Sequence, residues 1–376
     1  MERFQEAAIR RDLEKKMVFL TGPRQVGKTW LAKKVASGFT RSIYLNYDRL
    51  EDREILLREG WRKDTELLIL DEIHKMPEWK NYVKGIFDTR EPGLRILVTG
   101  SARMEMFRQV GDSLAGRFFR HRLLPVSPAE LTKTTTLQPP DTVDRLMQRG
   151  GFPEPFMAAE AVDADRWRMQ YIEGLIRTDV LDFEKIHDFR AIKLVLELLR
   201  RRVGSPASYL SIAEDVHVSP HTVRKYIELL EELYIVFRVT PFSRNIARSL
   251  LKEPKVYFYD TGMVVGDEGK RFENLTALCL LKHVYALQDY KGEPWQLQYL
   301  RTKDGDEVDF CLVSDDRAEQ MIEVKTADAS IPAALRNFNK RYGIKASLVV
   351  KELKREQVID GIGVEAAERF LGGLYL

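Results

Sequence analysis

A glycine-rich segment at residues 22–29 constrains the fold of this chain more than any other feature. It reads Gly-Pro-Arg-Gln-Val-Gly-Lys-Thr and fits the pattern G-x-x-x-x-G-K-[ST]. An apolar run at residues 17–20 precedes it and predicts a buried strand, while residues 30–36 have the pattern of a helix. This order predicts a phosphate-binding loop; the alternative is a chance glycine turn between a strand and a helix.

The parts of this loop predict separate contacts with ATP and Mg²⁺. Gly22 and Gly27 let backbone N–H groups turn towards phosphate oxygens, and the following helix N-terminus adds partial positive charge. Lys28 is expected to reach the β- and γ-phosphates, and the Thr29 hydroxyl to ligate Mg²⁺. The predicted nucleotide-binding residues are Gly22, Pro23, Arg24, Gln25, Val26, Gly27, Lys28, Thr29, Trp30 and Ser101.

Length and composition narrow the class of protein. A chain of 376 residues predicts two or three domains. Its only cysteines, Cys279 and Cys311, exclude a disulfide framework and favour a reducing cytoplasm. No apolar run approaches the ~20 residues of a membrane span, and the charged N-terminus lacks a signal core, so no membrane partner is expected. The net charge of +3 does not by itself demand a nucleic-acid partner.

A second acidic element follows another apolar run. Residues 67–70 predict a buried parallel strand that ends in Asp71-Glu72, at the sheet edge where open α/β folds bind ligands. Asp71 is expected to hold Mg²⁺ through water, and Glu72 to polarise the attacking water. The alternative is a solvated acidic pair that opens a loop.

A third apolar strand, at residues 95–98, ends in Thr99-Gly100-Ser101. A hydroxyl there could sense the γ-phosphate or orient the water, and Ser101 could also cap a helix. Residues 79–87 have helical spacing. The alternation of strands and helices predicts an α/β fold with a parallel sheet covered on both faces.

The serial order of several segments resembles AAA+-type ATPases of bacteria and archaea that are commonly described only as ATP-binding proteins. The matching segments are residues 21–29, 70–75, 99–102, 113–117, 124–131 and 150–154. The resemblance continues into the C-terminal region of uncharacterised function that accompanies this ATPase, so it covers nearly the whole chain. It implies a P-loop AAA+ core over residues 1–135 and a homo-oligomeric, hexameric ring.

In such a ring an arginine from one subunit stabilises charge in its neighbour's site. Arg117, within Leu-Ala-Gly-Arg, is the first candidate for this catalytic finger, and Arg103 and Arg177 are next. The alternative for Arg117 is a structural ion pair.

The sequence pattern in the middle of the chain predicts a loop followed by a helical region. Residues 132–148 are polar, contain Pro139-Pro140 and predict a loop that ends the core. Apolar spacing between Ala164 and Arg202 is helical and resembles a AAA+ lid, which we place at residues 136–203.

Residues 204–250 resemble a winged helix-turn-helix. Leu210 to Val216 predict a short helix, Ser219-Pro220 a helix start, and Tyr234 to Val239 a wing strand. In a DNA reader the groove-facing residues would be His221, Thr222, Arg224 and Lys225, with Arg238 and Arg244 on phosphates. Glu228, Glu231 and Glu232 would repel phosphate, and the alternative is a winged helix used only for packing.

Residues 270–351, within a domain expected at residues 251–376, predict the element order αβββαβ, which resembles the core of the PD-(D/E)xK nuclease superfamily. Glu323 and Lys325 lie two apart on a predicted strand and so share a face, and a hairpin places Asp309 beside them. These three are the predicted catalytic residues of a Mg²⁺ site, with Glu273 as a further ligand. The alternatives are charges on an exposed strand face and a retained site that does not cut.

The predicted metal ligands of the whole chain are Thr29, Asp71, Glu273, Asp309 and Glu323, and the predicted catalytic residues of the ATPase are Lys28, Asp71, Glu72 and Arg117. The leading hypothesis is an ATP-driven motor that remodels or translocates DNA, possibly branched, with a nuclease-like domain that binds or cleaves it. The alternative is a signalling or switch ATPase whose C-terminal modules are silent interaction surfaces.

Overall fold

The computed structural model describes residues 3–100, 114–134, 139–181, 188–243, 253–302 and 305–376. The chain divides into two units, Met1–Leu124 and Pro125–Leu376. The first unit ends eleven residues before the boundary expected at residue 135. Within the described ranges, no helix is long and apolar enough to cross a membrane.

The first unit is built on five strands in the order β2-β3-β4-β1-β5, and every pairing between neighbours is parallel. Its elements are α1 (Gln5–Leu13), β1 (Met17–Thr21), α2 (Lys28–Ala36), β2 (Ser42–Asn46), α3 (Leu50–Arg58), β3 (Leu67–Asp71), α4 (Trp79–Thr89), β4 (Arg95–Thr99) and β5 (Phe118–Arg122). The three strands predicted from apolar runs are β1, β3 and β4, and the parallel α/β sheet is confirmed.

Burial explains why these three strands form the centre of the sheet. Every residue of β1 and β3 is buried, and Phe19, Leu68 and Val98 belong to one apolar core. Parallel strands covered by helices on their faces have no solvent-facing side, so they appear as continuous apolar runs. Their carboxyl ends share one edge, so Thr21, Asp71 and Thr99, which end these strands, lie near one another.

The second unit begins with a helical region. Its helices are α5 (Pro128–Thr134), α6 (Pro139–Arg149), α7 (Pro153–Met157), α8 (Ala161–Leu181), α9 (Phe189–Arg201), α10 (Tyr209–Val216) and α11 (Pro220–Glu232). The predicted loop at residues 132–148 is wrong, because α6 occupies most of it. Pro139 begins that helix, where a missing N–H costs nothing, and Val143, Leu146 and Met147 form its buried stripe.

The two helices and the helix start predicted between residues 210 and 230 are present as α10 and α11. His217 ends α10 with φ 59°, and the Ser219 side chain accepts a hydrogen bond from Thr222 N–H at 3.0 Å to cap α11. Pro220 is the first helical residue, as expected. These local signals were readable because each depends only on residues close in sequence.

A mixed sheet of eight strands completes the second unit, in the order β12-β13-β11-β10-β9-β8-β6-β7. Its elements are β6 (Val236–Pro241), β7 (Lys255–Phe258), α12 (Glu268–Ala286), β8 (Gln296–Arg301), β9 (Glu307–Ser314), β10 (Arg317–Lys325), α13 (Ala333–Tyr342), β11 (Lys345–Val350), β12 (Gln357–Ile359), β13 (Ile362–Ala366) and α14 (Ala367–Gly372). The predicted order of helix, three strands, helix and strand corresponds to α12 through β11.

The predicted wing strand is part of this sheet. β6 pairs antiparallel with β7 and, through Thr240 and Pro241, parallel with β8. Sequence reasoning placed β6 and β8 in different domains, at residues 204–250 and 251–376. The shared sheet joins these two stretches.

Candidate functional sites

The phosphate-binding loop adopts backbone conformations that few residues tolerate. Gly22 has φ 146°, and a Cβ built there would lie 2.0 Å from the backbone oxygen of Leu123. Gln25 and Gly27 also have positive φ, at 58° and 100°. The loop therefore curls at the carboxyl end of β1 and leads into α2 at Lys28.

Lys28 is buried, and its ammonium donates to the carbonyl oxygens of Gly22 at 2.9 Å and Pro23 at 2.5 Å. Burial lowers the pKa of Lys28 from 10.5 to about 8, against the opposing charges of Glu72 and Asp71. The ammonium thus lies inside the loop, where these backbone carbonyls accept its hydrogen bonds. Phosphate oxygens are stronger acceptors for a charged donor than carbonyl groups.

Asp71 is the centre of the predicted magnesium site. Its Oδ2 accepts from Thr29 Oγ1 at 3.2 Å and from the Tyr44 hydroxyl, and its Oδ1 accepts from Thr99 Oγ1 at 2.5 Å. A hydroxyl and a carboxylate side by side fit the oxygen ligands that Mg²⁺ prefers. The residues present therefore fit this ion, and Thr29 and Asp71 would hold it.

Sequence reasoning missed Tyr44. It lies on β2, next to β3 in the sheet, in register with Ile69 two residues before Asp71. The strand itself is only partly buried and has no continuous apolar run. The available signal was a short alternating segment, Ser-Ile-Tyr-Leu-Asn, between two helices.

Glu72 follows Asp71 in a left-handed backbone conformation with φ 54°. Its N–H donates to the carbonyl of Thr99 at 3.0 Å, which ties the ends of β3 and β4 together. Its Oε2 lies 3.4 Å from Lys75 Nζ and 3.6 Å from His74 Nε2. The Glu72 carboxylate therefore lies beside the side chains of Lys75 and His74.

The arginine candidates occupy different places. Arg117 precedes β5 and donates to Asp88 through Nε at 2.8 Å and through a second nitrogen at 3.1 Å. Met17, at the amino end of β1, donates to the carbonyl of Arg117, so Arg117 lies at the sheet edge opposite the phosphate loop. Arg177 is exposed and pairs with Glu173 at 2.7 Å. Arg103, like Ser101 and Arg244, lies outside the described residues.

Two arginines of the predicted winged helix-turn-helix, and three that directly precede it, have acidic partners. Nitrogen–oxygen distances are 3.0 Å for Arg224–Glu228, 2.6 Å for Arg238–Glu231, 2.7 Å for Arg202–Asp215, 2.8 Å for Arg200–Glu197 and 3.3 Å for Arg201–Glu197. Of these arginines, Arg201 and Arg224 are exposed, whereas Arg200, Arg202 and Arg238 are half-buried. Exposed pairs stabilise by only about 0–1 kcal/mol, so phosphate oxygens can compete for Arg201 and Arg224. Trp30, beside the phosphate loop, is 46% exposed.

The three predicted catalytic residues of the C-terminal domain lie together. β9 and β10 pair antiparallel, with Ile322 opposite Phe310. Glu323 Oε2 accepts from Asp309 N–H at 3.3 Å, and Asp309 Oδ2 accepts from Val324 N–H at 3.0 Å. Lys325 Nζ lies 3.2 Å from Glu323 Oε1. The hairpin and the two-residue spacing thus place these side chains as predicted.

A buried lysine that sequence reasoning missed joins this cluster. Lys255 of β7 is 1% exposed, and its Nζ lies 2.7 Å from Glu307 Oε1 and 3.5 Å from both Glu273 Oε1 and Asp309 Oδ1. The Tyr257 hydroxyl also donates to Glu273, at 2.7 Å. We call Lys255, Glu273, Glu307, Asp309, Glu323 and Lys325 the carboxylate–lysine cluster.

Burial and like charge perturb the acids of this cluster. Burial raises the pKa of Glu323 to about 7, with Asp309 adding to the effect. The pKa of Glu273 is also raised, first by burial and then by Asp309. Burial alone would lower the pKa of Lys255, but Asp309, Glu273 and Glu307 together hold that pKa above its ordinary value. The ammonium is therefore charged at neutral pH.

The cluster does not fit a divalent metal as it is arranged. Each predicted ligand already has an ammonium partner: Lys255 for Glu273 and Asp309, and Lys325 for Glu323. Within the described part of the chain, no group of three or more His, Cys, Asp or Glu side chains is arranged to hold a metal ion. Magnesium binding at this site stays a prediction from the sequence, and the lysine–carboxylate contacts oppose it.

Comparison with known families divides the chain into three matched stretches. Residues 14–132 match an AAA domain, residues 140–267 match a domain of unknown function (DUF8612), and residues 268–367 match another (DUF4143). Together with the phosphate-loop geometry, the first match defines an AAA-type ATP-binding domain with a P-loop.

Two relatives that match over most of the chain are described as uncharacterized proteins. The uncharacterized protein Rv2008c of Mycobacterium tuberculosis is 27% identical over 344 residues, covering 88% of this chain and 75% of its own. The uncharacterized protein MJ1544 of Methanocaldococcus jannaschii is 24% identical, covering 93% of this chain and 83% of its own.

Two solved structures are similar at a lower level. The Walker-type ATPase PABY2304 of Pyrococcus abyssi has a TM-score of 0.46 and 16% identity, covering 70% of this chain and 94% of that one. A single-substitution variant of RuvB from Thermotoga maritima has a TM-score of 0.35 and 17% identity, covering 62% of this chain and 88% of that one. These likenesses are too weak to extend to what either protein does.

Proposed function

We propose that this protein is an ATP hydrolase that couples nucleotide turnover to the remodelling of DNA. The observation behind the hydrolase is the arrangement at Asp71, whose carboxylate joins the Thr29 hydroxyl of the phosphate loop to Thr99 on the neighbouring strand. Glu72 follows directly, in the sharp turn at the strand end. A nucleotide carrier needs only the loop, whereas a hydrolase also needs a base beside it.

The residues of the ATP site have distinct tasks in that reaction. Lys28 leaves its two carbonyl partners for the phosphates, and the loop N–H groups bind phosphate oxygens. Thr29 and Asp71 would hold Mg²⁺ with the bound ATP, and the ion would supply positive charge against the phosphates. Glu72 takes a proton from the water that attacks the γ-phosphorus, while the bond from that phosphorus to the bridging oxygen breaks and ADP leaves.

The exposed start of α11 supports DNA as the target. Ser219 caps this helix, and His221, Arg224 and Lys225 lie exposed in its first turns. A helix N-terminus with basic side chains favours phosphate oxygens. The ion pair of Arg224 with Glu228 is exposed and weak, so it does not block such a contact.

The DNA proposal is tested by ATP turnover and by binding. Steady-state ATPase rates are measured with single-stranded, duplex and four-way-junction DNA at low salt, and affinities by fluorescence anisotropy. The double variant Arg224→Ala/Lys225→Ala should bind about tenfold more weakly and reduce the salt slope by about 2, because two phosphate contacts are lost. Arg166→Ala is a matched control: Arg166 is also an exposed helical arginine with an acidic partner, Asp163.

A second candidate is a switch ATPase that uses ATP occupancy to change its partner binding. The pairing of Arg200, Arg201, Arg202, Arg224 and Arg238 with acids favours it, since paired arginines leave less positive charge to attract phosphates. The switch predicts slow turnover that no DNA alters. If the protein binds no form of DNA at low salt, the result favours the switch ATPase over the DNA-remodelling ATPase.

A ring assembly, hexameric by family resemblance, belongs to the same proposal. Arg117 lies at the edge opposite its own phosphate loop, so it would serve a neighbouring subunit rather than its own. Light scattering with and without ATP measures the assembly. Arg117→Ala should remove turnover but keep ATP binding if Arg117 is the finger, whereas Asp88→Asn tests its ion pair alone.

For the C-terminal domain we propose DNA binding in support of the motor. Mg²⁺-dependent cleavage requires the carboxylate–lysine cluster to bind a metal, which its contacts oppose. Incubation of labelled DNA with Mg²⁺ or Mn²⁺ tests cleavage directly. Cutting that is lost in Lys325→Ala would establish a nuclease at this site.

A further inference from the structure

Lys255 is the most deeply buried cation of the carboxylate–lysine cluster. Its side chain is 1% exposed, compared with 40% for Lys325. Three carboxylates surround the ammonium at 2.7–3.5 Å, and the ring of Tyr299 lies 5.4 Å from it. A lysine is rarely buried this fully unless it is paired, so the three carboxylates account for its position.

The backbone around the cluster is shaped to bring the acids to Lys255. Gly204 has φ 80°, and a Cβ built there would lie 2.3 Å from Glu273 Oε2. Any larger residue would therefore displace the Glu273 carboxylate. Tyr257, two residues after Lys255 on the same face of β7, fixes the same carboxylate through its hydroxyl. These contacts hold the Glu273 carboxylate beside the Lys255 ammonium.

The Oδ2 of Asp309 and both carboxylate oxygens of Glu323 also have donors. Asp309 Oδ2 accepts from Val324 N–H, Glu323 Oε2 accepts from Asp309 N–H, and Glu323 Oε1 faces Lys325. A divalent ion bound by Asp309 or Glu273 would lie within a few ångströms of the Lys255 ammonium. Two cations at that separation in a buried site repel strongly.

We infer that Lys255 takes the place of a divalent metal, so that the C-terminal domain folds around a fixed ammonium and holds its carboxylates without a metal. The inference concerns the second unit alone and does not depend on ATP hydrolysis. It assigns Lys255 a structural charge role that joins β7, α12 and β9. It also explains how a domain with a nuclease-like pattern of acids can bind without cutting.

The test is Mn²⁺ binding without nucleotide, measured by electron paramagnetic resonance. All proteins contain Asp71→Asn, which removes the carboxylate of the other site. The parent should show no Mn²⁺ binding that depends on Asp309. Lys255→Ala should gain a site about tenfold tighter than any in the parent, because one buried like charge is gone. Addition of Asp309→Asn should remove that site again.

Lys325→Ala is the matched control, since it removes the other ammonium but leaves Lys255. It should gain no site. Mn²⁺ bound by the parent and lost with Asp309→Asn would overturn the inference, as would an equal gain in Lys325→Ala or no gain in a folded Lys255→Ala. Where Lys255→Ala fails to fold by circular dichroism, the parent and its Asp309→Asn variant decide the question.

Discussion

The Tyr44 hydroxyl and the Thr29 hydroxyl donate to the same oxygen of Asp71, one from β2 and one from the phosphate loop. Asp71 is thereby oriented from a strand that has no part in the loop motif. Partners of a ligand that fix its orientation typically change metal affinity or activity 10–100-fold when removed.

Tyr44→Phe should therefore raise the Mg²⁺ concentration for half-maximal ATP turnover by about tenfold and leave the fold intact. The measurement is ATPase rate against Mg²⁺ concentration. Tyr82→Phe is the control, because its hydroxyl donates to the Leu56 carbonyl instead. Equal Mg²⁺ requirements in both variants would show that Tyr44 does not orient Asp71.

Glu72→Gln should bind ATP as tightly as the parent and lower turnover by roughly 10²–10⁴-fold, since only the proton acceptor is lost. Nucleotide affinity by fluorescence and steady-state rate give the two quantities. Glu78→Gln is a matched control: Glu78 is exposed and has the same left-handed backbone, with φ 55°. Unchanged turnover in Glu72→Gln would exclude Glu72 as the base.

The low pKa of Lys28, about 8, makes ATP affinity depend on pH. The protonated ammonium binds phosphate, so affinity should fall by about tenfold per pH unit as the pH rises above that pKa. Dissociation constants from about pH 7 to about pH 9.5 test this. Lys28→Arg stays charged and should give a flat profile. Parallel profiles would assign the pH dependence to another group.

The lowered pKa of Lys28 affects folding in the opposite direction from ATP binding. Between pH 8 and the ordinary pKa of 10.5, the unfolded chain binds the Lys28 proton more tightly than the folded protein. Stability therefore rises with pH across this window, as far as this group contributes.

Lys282 and Glu130 form a buried ion pair within the second unit, and Lys282 also donates to the Pro125 carbonyl at 3.0 Å. Lys282→Met should destabilise this unit by about 3–5 kcal/mol, because Glu130 stays buried without its partner charge. Urea unfolding followed by tryptophan fluorescence measures the change. Glu173→Gln, at the exposed pair with Arg177, should cost less than about 1 kcal/mol. Similar costs for the two changes would refute the argument.

Local patterns predicted much of the fold, and long-range neighbours explain what was missed. The Ser219 cap and the strands β1, β3 and β4 depend on residues close together, so sequence reasoning found them. The loop predicted at residues 132–148 failed because Pro139-Pro140 was taken as a breaker, although proline is well suited to a first helical turn.

The same difference separates the site residues that were predicted from those that were missed. Asp309, Glu323 and Lys325 come from one hairpin whose register follows from strand alternation. Lys255 reaches Asp309, and Tyr44 reaches Asp71, from strands that are distant in sequence, and nothing local specifies those neighbours. A lysine inside the apolar strand Lys-Val-Tyr-Phe was the one sign that a buried charge was present.

The sheet of the second unit crosses the boundary between the two family matches of this unit. The family matches meet between residues 267 and 268, but β6 and β7 lie on one side of that point and β8 to β13 on the other. Separation there would expose the edge of β8 and leave Glu273 and Asp309 in one fragment and Lys255 in the other. The two stretches match separate families, yet the strands of one sheet come from both.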